Sequence, residues 1–392
     1  MSRFLVYTSP ARGHLYPIMP TLLELQQRGH EIHVRTLASE IQHLLPLGID
    51  ARPIDPAIEA LSLDDWQHAR FEEAIGSILG IFASRSSYEI PDLERAIADV
   101  QPDVLLVDIT TAGAAAVAEA SGLPWARWMP YLQHATLDPD TPTTISYVPF
   151  TLAPPGIEVL NGARAEVGLP LLSSDDDLYR APLNLYLTAP PLETEGLRFP
   201  DSFRLVGPGV WEPSAAPPVW LVGLADPVVL VTASSEYQAD DALVRTALKG
   251  LGTEDIRLVV STAAHEADGF PRPANAHIEQ WLPHGHLLTR ASCVVCHGGM
   301  GVTQKALAAG VPVCVVPFGR DQFEVAQQVA AAGAGTVLMP DQLTPEHLRD
   351  AVREAMTMKT GAARVADGFA QTGGGAAAAD SVEALLATQV ST

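Results

Sequence analysis

The sequence is poor in cysteine, in basic residues and in long apolar runs, and each shortage excludes a class of protein. Three cysteines in 392 residues, all within short apolar runs, exclude a disulfide framework and suit buried thiols in a reducing compartment. Lys and Arg number 24 against 46 Asp and Glu, which gives a formal net charge of -22 at pH 7. Such a surface repels phosphate backbones and anionic lipids, so we expect neither nucleic acid nor a membrane surface as a partner. No apolar stretch is long enough for a membrane span or resembles a signal peptide, so a cytoplasmic protein is expected.

A Gly-x-Gly-x-x-Gly fingerprint is also missing after the opening apolar run, which argues against a dehydrogenase. What the chain does contain is a series of short apolar runs that alternate with helical patterns, as is typical of βα units around parallel sheets. At 392 residues, two α/β domains are expected. The predicted strands are residues 4–7, 31–34, 104–107 and 125–128, then 228–231, 257–260, 277–279, 293–296, 313–316 and 336–339.

A stretch rich in proline and glycine, residues 206–218, separates the two halves of the chain. It can continue neither a helix nor a central strand, so it reads as an interdomain connection. We predict an N-terminal domain over residues 1–207, a linker over 208–225, a C-terminal domain over 226–375 and a tail with a helical pattern over 376–392. Residues 136–183 are predicted to form a long loop region with room for short helices.

The most informative stretch is a buried strand that feeds a glycine turn and opens a helix. Its residues run Cys293-Val294-Val295-Cys296-His297-Gly298-Gly299-Met300-Gly301-Val302-Thr303. Glycines let the backbone approach an anion, while free N–H groups and the positive end of a helix favour a diphosphate. The His297 side chain is able to donate to a phosphate oxygen and Thr303 to add a hydroxyl. Upstream, Trp281 offers a flat face for a nucleobase.

Flanking segments extend this pattern: Trp281-Leu282-Pro283-His284 before it, and Ala306-Leu307-Ala308-Ala309-Gly310-Val311-Pro312 and Pro317-Phe318-Gly319-Arg320-Asp321-Gln322 after it. Together they resemble the nucleotide-sugar signature of family 1 glycosyltransferases with the GT-B fold, particularly the bacterial enzymes that decorate natural products. The resemblance extends over nearly the whole chain. It implies an α/β protein of two facing Rossmann-like, doubly wound parallel-sheet domains with the active site in the cleft between them. The implied reaction moves a sugar from a dTDP- or UDP-sugar to a hydroxyl of a small, largely apolar acceptor.

The resemblance assigns the donor to the C-terminal domain. Trp281 would lie under the base with the Leu282 backbone at its edge, and Asp321 and Gln322 would hold the sugar hydroxyls. Other donor-binding residues predicted are Gly13, Ser234, Ser235, His284, His297, Gly299, Met300, Gly301, Val302, Thr303 and Lys305. Three residues depart from the family pattern. His284 replaces a Gln, and Glu324 replaces an Asn. Lys305 replaces a Glu that holds the ribose hydroxyls in the family. An ammonium group accepts no hydrogen bond, so Lys305 favours a deoxyribose donor such as dTDP.

The segment after the first strand, Gly13-His14-Leu15-Tyr16-Pro17, resembles the family's Gly-His-x-x-Pro motif, whose His is the catalytic base. Transfer to a hydroxyl needs a base with a pKa near the working pH, and a carboxylate that fixes the imidazole tautomer. Asp108, at the end of a predicted strand, matches that carboxylate. The resemblance further implies inversion at the anomeric carbon. The aromatic residues predicted to wall the acceptor pocket are Trp66, Phe82, Trp128 and Tyr131.

No metal or cofactor beyond the nucleotide sugar is predicted. Cys293-x-x-Cys296 followed by His297 suggests zinc, but strand positions three apart face opposite sides of a sheet. Asp175-Asp176-Asp177 contains an Asp-x-Asp spacing within a polar loop, where a solvated run is expected. A nucleotide-sugar 2-epimerase and a non-catalytic sugar-nucleotide-binding activator are the alternative functions. The sequence leaves open which sugar and which acceptor are used, and whether an oxygen, carbon or nitrogen atom attacks. It also leaves open the oligomeric state, including a homodimer.

Overall fold

The computed structural model describes residues 1–68, 70–132, 135–137, 145–147, 154–173, 181–196, 199–224 and 227–389. The chain forms two compact units. The first comprises Met1–Thr188, Glu195–Gly209 and Thr372–Thr392, and the second comprises Ala189–Thr194 and Val210–Gln371. The whole Asp175–Asp177 run lies outside the described residues.

The first unit is built on a parallel sheet of seven strands. Its strands are β1 (Arg3–Tyr7), β2 (Glu31–Thr36), β3 (Asp50–Pro53), β4 (Val104–Asp108), β5 (Trp125–Met129), β8 (Asn184–Tyr186) and β9 (Phe203–Leu205), and a separate antiparallel pair comprises β6 (Ala135–Leu137) and β7 (Ile145–Tyr147). The helices are α1 (Arg12–Gln27), α2 (Ile41–Leu44), α3 (Pro56–Ala60), α4 (Phe71–Val100), α5 (Ala112–Ala120), α6 (Pro154–Glu166) and α13 (Gly374–Gln389).

The strand order of this sheet, β3-β2-β1-β4-β5-β8-β9, places β1 beside β4. Tyr7 of β1 stands opposite Val107 of β4 in a parallel register. The chain places β2 and β3 on one side of β1 and then crosses to place β4 on the other side. The carboxyl ends of β1 and β4 therefore flank the point where the strand order reverses. The last four residues of β1 and all of β4 are buried because helices cover both faces of the sheet.

The second unit repeats this plan with six parallel strands. They are β10 (Val228–Thr232), β11 (Arg257–Ser261), β12 (Ala276–Glu279), β13 (Ala291–Cys296), β14 (Val313–Val315) and β15 (Gly335–Val337), in the order β12-β11-β10-β13-β14-β15. Its helices are α7 (Asp241–Leu251), α8 (His284–Leu288), α9 (Met300–Ala308), α10 (Gln322–Ala331), α11 (Pro345–Ala355) and α12 (Lys359–Gln371). The strand order reverses between β10 and β13, whose last residues Thr232 and Cys296 are register partners.

The unit boundaries differ from the sequence prediction at the predicted linker and at the predicted tail. The first unit ends a continuous stretch at Gly209, so the second begins inside the predicted linker, at Val210. The predicted tail forms α13, which belongs to the first unit and packs against α1. Gly209 also packs on α1, since a Cβ there would lie 1.6 Å from the Pro17 carbonyl oxygen. A contact between backbones leaves no hydrophobic periodicity in the sequence. The pattern of apolar residues therefore could not predict that Gly209 packs on α1.

Among the described residues, no helix combines the length and the apolarity that crossing a membrane would require.

Candidate functional site

In the first unit, a His–Asp pair lies at the point where the strand order reverses. His14 stands in the first turn of α1, directly after β1, and Asp108 is the last residue of β4. Their side chains meet with 2.8 Å between His14 Nδ1 and Asp108 Oδ2. Asp108 is fully buried, and its Oδ1 accepts hydrogen bonds from the backbone N–H and the hydroxyl of Thr110. An ionised carboxylate only accepts, so the proton of the imidazole resides on Nδ1 and the basic lone pair on Nε2.

The backbone around His14 is also fixed. The indole Nε1 of Trp128 donates to the His14 carbonyl oxygen at 3.1 Å, and Trp128 itself is fully buried. Gly13, predicted as a donor contact, is exposed in the first turn of α1 and has open space where a Cβ would project. The backbone of His14 is therefore held in place by Trp128, while the open space beside Gly13 leaves room for another group.

The four aromatic residues predicted to line an acceptor pocket fall into two groups. Trp128 is inaccessible, and Phe82 packs with Ile78 and Leu79 in a hydrophobic cluster, so both have packing roles in the first unit rather than exposed faces. The ring of Tyr131 is 6.2 Å from that of His14, and Trp66 is 39% exposed. A contact with the acceptor stays a prediction for Trp66 and Tyr131.

Glu89, which the sequence analysis did not single out, is a buried carboxyl close to the same pair. It lies on α4 and accepts a 2.8 Å hydrogen bond from the backbone N–H of Gly113 at the start of α5. Burial raises the pKa of Glu89 to about 8, although that N–H and the N–H of Ala114 favour its charged form. Glu89 is therefore largely neutral at pH 7, which spares Asp108 a second buried negative charge. An acidic residue on the apolar face of a long helix is the signal that would have revealed it.

In the second unit, the glycine turn lies at the equivalent position, between β13 and α9. Gly298 has a φ of 89°, and a Cβ there would lie 2.8 Å from Val315 Cγ1, so no other residue fits without strain. A Cβ at Gly299 would lie 2.3 Å from His297 Nε2. The imidazole of His297 thus rests against the Gly299 backbone at the N-terminal end of α9.

His297 is a polar side chain suited to a ligand in this unit. It is 7% exposed, and its Nδ1 has no hydrogen-bond partner among the described residues. Burial lowers the pKa of His297, with Arg320 acting in the same direction against Asp240 and Glu236, so the ring is neutral at pH 7. A buried polar atom without a partner is costly, and an anion at the start of α9 would satisfy it.

The residues that follow His297 contribute backbone and packing more than side chains. Met300, Gly301 and Val302 form the first turn of α9, whose N–H groups have no partner within the helix. Thr303 is fully buried, and its hydroxyl donates to the Gly299 carbonyl oxygen at 3.0 Å. The hydroxyl that the sequence analysis offered to a phosphate is therefore used to brace the turn.

A chain of buried polar groups joins the loop after β10 to the loop after β14. Ser234 Oγ accepts from Gln238 at 2.6 Å, and Gln238 in turn accepts from Gln322 at 2.6 Å. The side-chain oxygen Oε1 of Gln322 also accepts from the backbone N–H groups of Phe318 and Gly319. Gln322, predicted to hold sugar hydroxyls, is 2% exposed and shapes its own loop. Its neighbour Asp321 is half-buried, and Ser235 is exposed, so both stay predicted donor contacts.

A third cluster surrounds Lys305. Its ammonium group lies 3.3 Å from Glu212 Oε2, and Glu212 also accepts from the backbone N–H groups of His284 and Gly285. Burial and Lys305 lower the pKa of His284 to about 4, so this imidazole is neutral. Trp281, three residues earlier, is 48% exposed, whereas Leu282 is 9% exposed. Glu212 was missed by the sequence analysis, although it is the single charged residue in the segment 208–218.

The cysteines form no candidate metal site. All three are buried and free, and burial raises the pKa of each thiol. Cys293 and Cys314 lie in the core cluster of the second unit, whereas Cys296 faces Thr303 on the other side of β13. Within the described part of the chain, no group of three or more His, Cys, Asp or Glu is arranged to hold a metal ion.

Two parallel-sheet units, each with polar groups gathered where its strand order reverses, define the class of protein. The chain belongs to the GT-B-fold glycosyltransferases of bacterial natural-product biosynthesis, and it is a natural-product glycosyltransferase. Residues 245–385 match the family described as Erythromycin biosynthesis protein CIII-like, C-terminal domain. The chain is 30% identical to 4'-demethylrebeccamycin synthase of Lentzea aerocolonigenes, over 98% of this chain and 100% of that protein.

Solved structures share the whole fold. CalG4, the calicheamicin glycosyltransferase, superposes with a TM-score of 0.77 at 22% identity, covering 99% of this chain and 98% of that one. The spinosyn rhamnosyltransferase SpnG complexed with thymidine diphosphate superposes with a TM-score of 0.73 at 22% identity, covering 98% of this chain and 100% of that one. At these identities the structures establish the fold, which is the GT-B architecture expected from the sequence.

Proposed function

We propose that this glycosyltransferase moves a sugar from a dTDP- or UDP-sugar to a hydroxyl of a small, largely apolar acceptor, with inversion at the anomeric carbon. The observation that carries the proposal is the 2.8 Å contact between His14 Nδ1 and the buried Asp108 carboxylate. This arrangement suits a general base, because the carboxylate fixes the tautomer and stabilises the imidazolium that forms. The proposal assigns the acceptor and its base to the first unit and the donor to the second.

In the proposed step, Nε2 of His14 takes the proton of the acceptor hydroxyl. The hydroxyl oxygen forms a bond to the anomeric carbon as the bond from that carbon to the diphosphate oxygen breaks. Asp108 stays ionised and compensates the positive charge on the imidazole. The negative charge that develops on the leaving diphosphate is received by the N–H groups at the start of α9 and by His297. Protons and charges balance without a further reactant.

The donor side of the proposal is supported by the orphaned Nδ1 of the buried His297 and by the left-handed turn at Gly298. Both fit an anion held by backbone and one neutral imidazole, which suits a chain whose net charge is -22. A fold of this kind solved with thymidine diphosphate supports a thymidine nucleotide as one donor to test.

The first test replaces His14 with alanine. We expect His14→Ala to lower turnover by about a hundredfold or more, since a general base contributes on that order. The dissociation constant of the nucleoside diphosphate should stay within about twofold, because the donor site lies in the other unit. Asp108→Asn should also lower turnover, since the amide donates to Nδ1 and selects the wrong tautomer. Initial rates with an activated donor and calorimetric titration of the diphosphate measure the two effects.

His33 provides a matched control. It lies on β2 of the same sheet, and its Nδ1 is 2.8 Å from Asp50 Oδ2, the same separation as in the pair at His14. His33→Ala removes a His–Asp contact of equal geometry away from the proposed site, and turnover should be unchanged. Wild-type turnover in His14→Ala with a hydroxyl acceptor would refute the proposed base.

A further inference from the structure

Glu212 is a carboxylate from the segment between the two sheets that is fixed by the second unit. Its Oε1 accepts from the backbone N–H of Gly285 at 2.7 Å, and its Oε2 accepts from the N–H of His284 at 3.1 Å and from Lys305 at 3.3 Å. The side chains of Lys305 and Glu212 are 14% and 25% exposed. The carboxylate is thus held in one orientation by two structural elements, the start of α8 and the helix α9.

Those two elements are the ones to which the proposed function assigns the ends of a nucleoside diphosphate. His284 follows Trp281, the proposed partner of the base, by three residues, and Lys305 lies on α9, whose N-terminal end is proposed to receive the diphosphate. In a nucleoside diphosphate the pentose is the group that joins the base to the diphosphate. A carboxylate bonded to both elements is therefore placed for the pentose hydroxyls.

The hydrogen bonds of Glu212 leave room for one hydroxyl. A carboxylate offers about four lone-pair sites. Among the described residues, Gly285, His284 and Lys305 fill three of them, with two donors on Oε2 and one on Oε1. Burial acts to raise the pKa of Glu212, but Lys305 and the N–H of Gly285 outweigh burial and lower the pKa below its usual value, so the group is ionised at pH 7. The remaining site is a charged acceptor on Oε1.

We propose that Glu212 accepts one hydrogen bond from the 3′-hydroxyl of the donor's pentose, and that a ribose donor therefore has no advantage in affinity over a 2′-deoxyribose donor. This inference rests on the proposed function, since it refines the same donor site. A 2′-hydroxyl finds no further acceptor on Glu212 and gives up its bonds to water, so ribose gains nothing over deoxyribose. Lys305 and Gly285 are positioning groups that hold the carboxylate, and Glu212 is the residue that contacts the donor.

The test uses pairs of diphosphates that differ by one hydroxyl. Titration of the full-length protein with UDP and 2′-deoxy-UDP isolates the 2′-hydroxyl, and titration with dTDP and its 3′-deoxy analogue isolates the 3′-hydroxyl. In the unaltered protein we expect dTDP to bind about tenfold more tightly than its 3′-deoxy analogue, since a hydrogen bond to a charged group is worth that much. UDP should bind no more tightly than 2′-deoxy-UDP.

Variants of Glu212 separate recognition from folding. Glu212→Gln should reduce the advantage of the 3′-hydroxyl to about twofold, and Glu212→Ala should remove it. The control is Glu254→Gln, a carboxylate of the same unit that pairs with Arg349 and Arg353. It precedes β11, at the opposite end of the sheet, and should keep the tenfold ratio.

The outcomes are distinct. Equal weakening of dTDP and its 3′-deoxy analogue by both Glu212 variants would show a structural role and overturn the inference. A preference of the unaltered protein for UDP over 2′-deoxy-UDP would also overturn it, while leaving the proposed transfer intact. Binding of none of the four diphosphates would instead refute the proposed function itself.

Discussion

At the scale of single residues, the donor site depends on how His297 and Gly299 share space. The imidazole lies where a Cβ at position 299 would be, and its Nδ1 is buried without a partner among the described residues. Neutral His297 donates one hydrogen bond, and a bond to a charged phosphate contributes about 1.5–3 kcal/mol. His297→Ala should therefore raise the dissociation constant of a nucleoside diphosphate about tenfold or more. Because burial lowers the pKa of His297, the affinity of the unaltered protein should not fall as the pH rises from 7 to 8.5.

Calorimetric titration at fixed salt measures this effect. Gly299→Ala should weaken binding in the same way, since the new methyl group displaces the imidazole. His347→Ala, which changes an exposed histidine of α11, should bind the diphosphate normally. Unchanged affinity in both His297→Ala and Gly299→Ala would place the diphosphate elsewhere.

Lys305 shows how far a single residue can be interpreted without its neighbours. Its chemistry, three donors and no acceptor, led to the prediction that ribose hydroxyls lose a partner at this position. The structure adds a carboxylate from Glu212, 93 residues away in sequence, in contact with the ammonium group. Position 305 lacks a hydrogen-bond acceptor, but Glu212 supplies one beside it from a different segment. The residue type at position 305 gives no means of predicting this contact.

At the scale of elements, the C-terminal helix α13 is part of the first unit. It packs against α1, Glu383 bonds to both Arg28 and His30, and Val382 is fully buried. The backbones approach each other at Gly375, where a Cβ would lie 2.6 Å from the Pro20 carbonyl oxygen. Gly375→Ala should therefore destabilise the first unit by about 1–3 kcal/mol, the usual cost of overpacking against a rigid neighbour.

Thermal unfolding followed by calorimetry, with hydrogen exchange to locate the change, measures this loss. A shift of the midpoint by a few degrees is expected for a unit of about 200 residues. Gly162→Ala is the matched control, because it makes the same substitution within α6 of the same unit, where a Cβ meets open space. That variant should be as stable as the parent or more so. If Gly375→Ala unfolds at the same temperature as Gly162→Ala, α13 is not docked on α1 as described.

At the scale of the whole molecule, the net charge of the chain limits the ways in which an anionic donor can be bound. With a net charge of -22, the surface gives no general attraction for a diphosphate. The proposed site relies on backbone N–H groups and a neutral imidazole, so turnover should not require a divalent cation. Activity after exhaustive treatment with EDTA should equal that of the untreated enzyme, and added magnesium should not raise it. A strict requirement for magnesium or manganese would contradict the proposed role of α9.

Much of the architecture is predictable from local patterns, and the misses have physical reasons. Buried central strands such as β1, β4, β10 and β13 are runs of apolar residues and were predicted within two residues of their bounds. The strands β3, β8 and β9 have three or four residues and mixed polarity, so they carry little periodicity and were missed. Pro17 resembles a helix start in the sequence, yet it lies inside α1, which begins at Arg12.

The sequence by itself determined the repeated βα pattern, the glycine turn after His297 and the residue types of the candidate site, since each of these is encoded within a few neighbouring positions. The resemblance paired His14 with Asp108, but only the tertiary structure gives the contact between these residues, which are 94 positions apart. Only the tertiary structure decided that Glu212 reaches Lys305, and that Thr303 and Gln322 turn inward to brace their loops. Parallel neighbours are joined by long crossovers, so groups that meet at one sheet edge are distant in sequence. Local patterning specifies which segments become strands, whereas the packing of all of them specifies which ends meet.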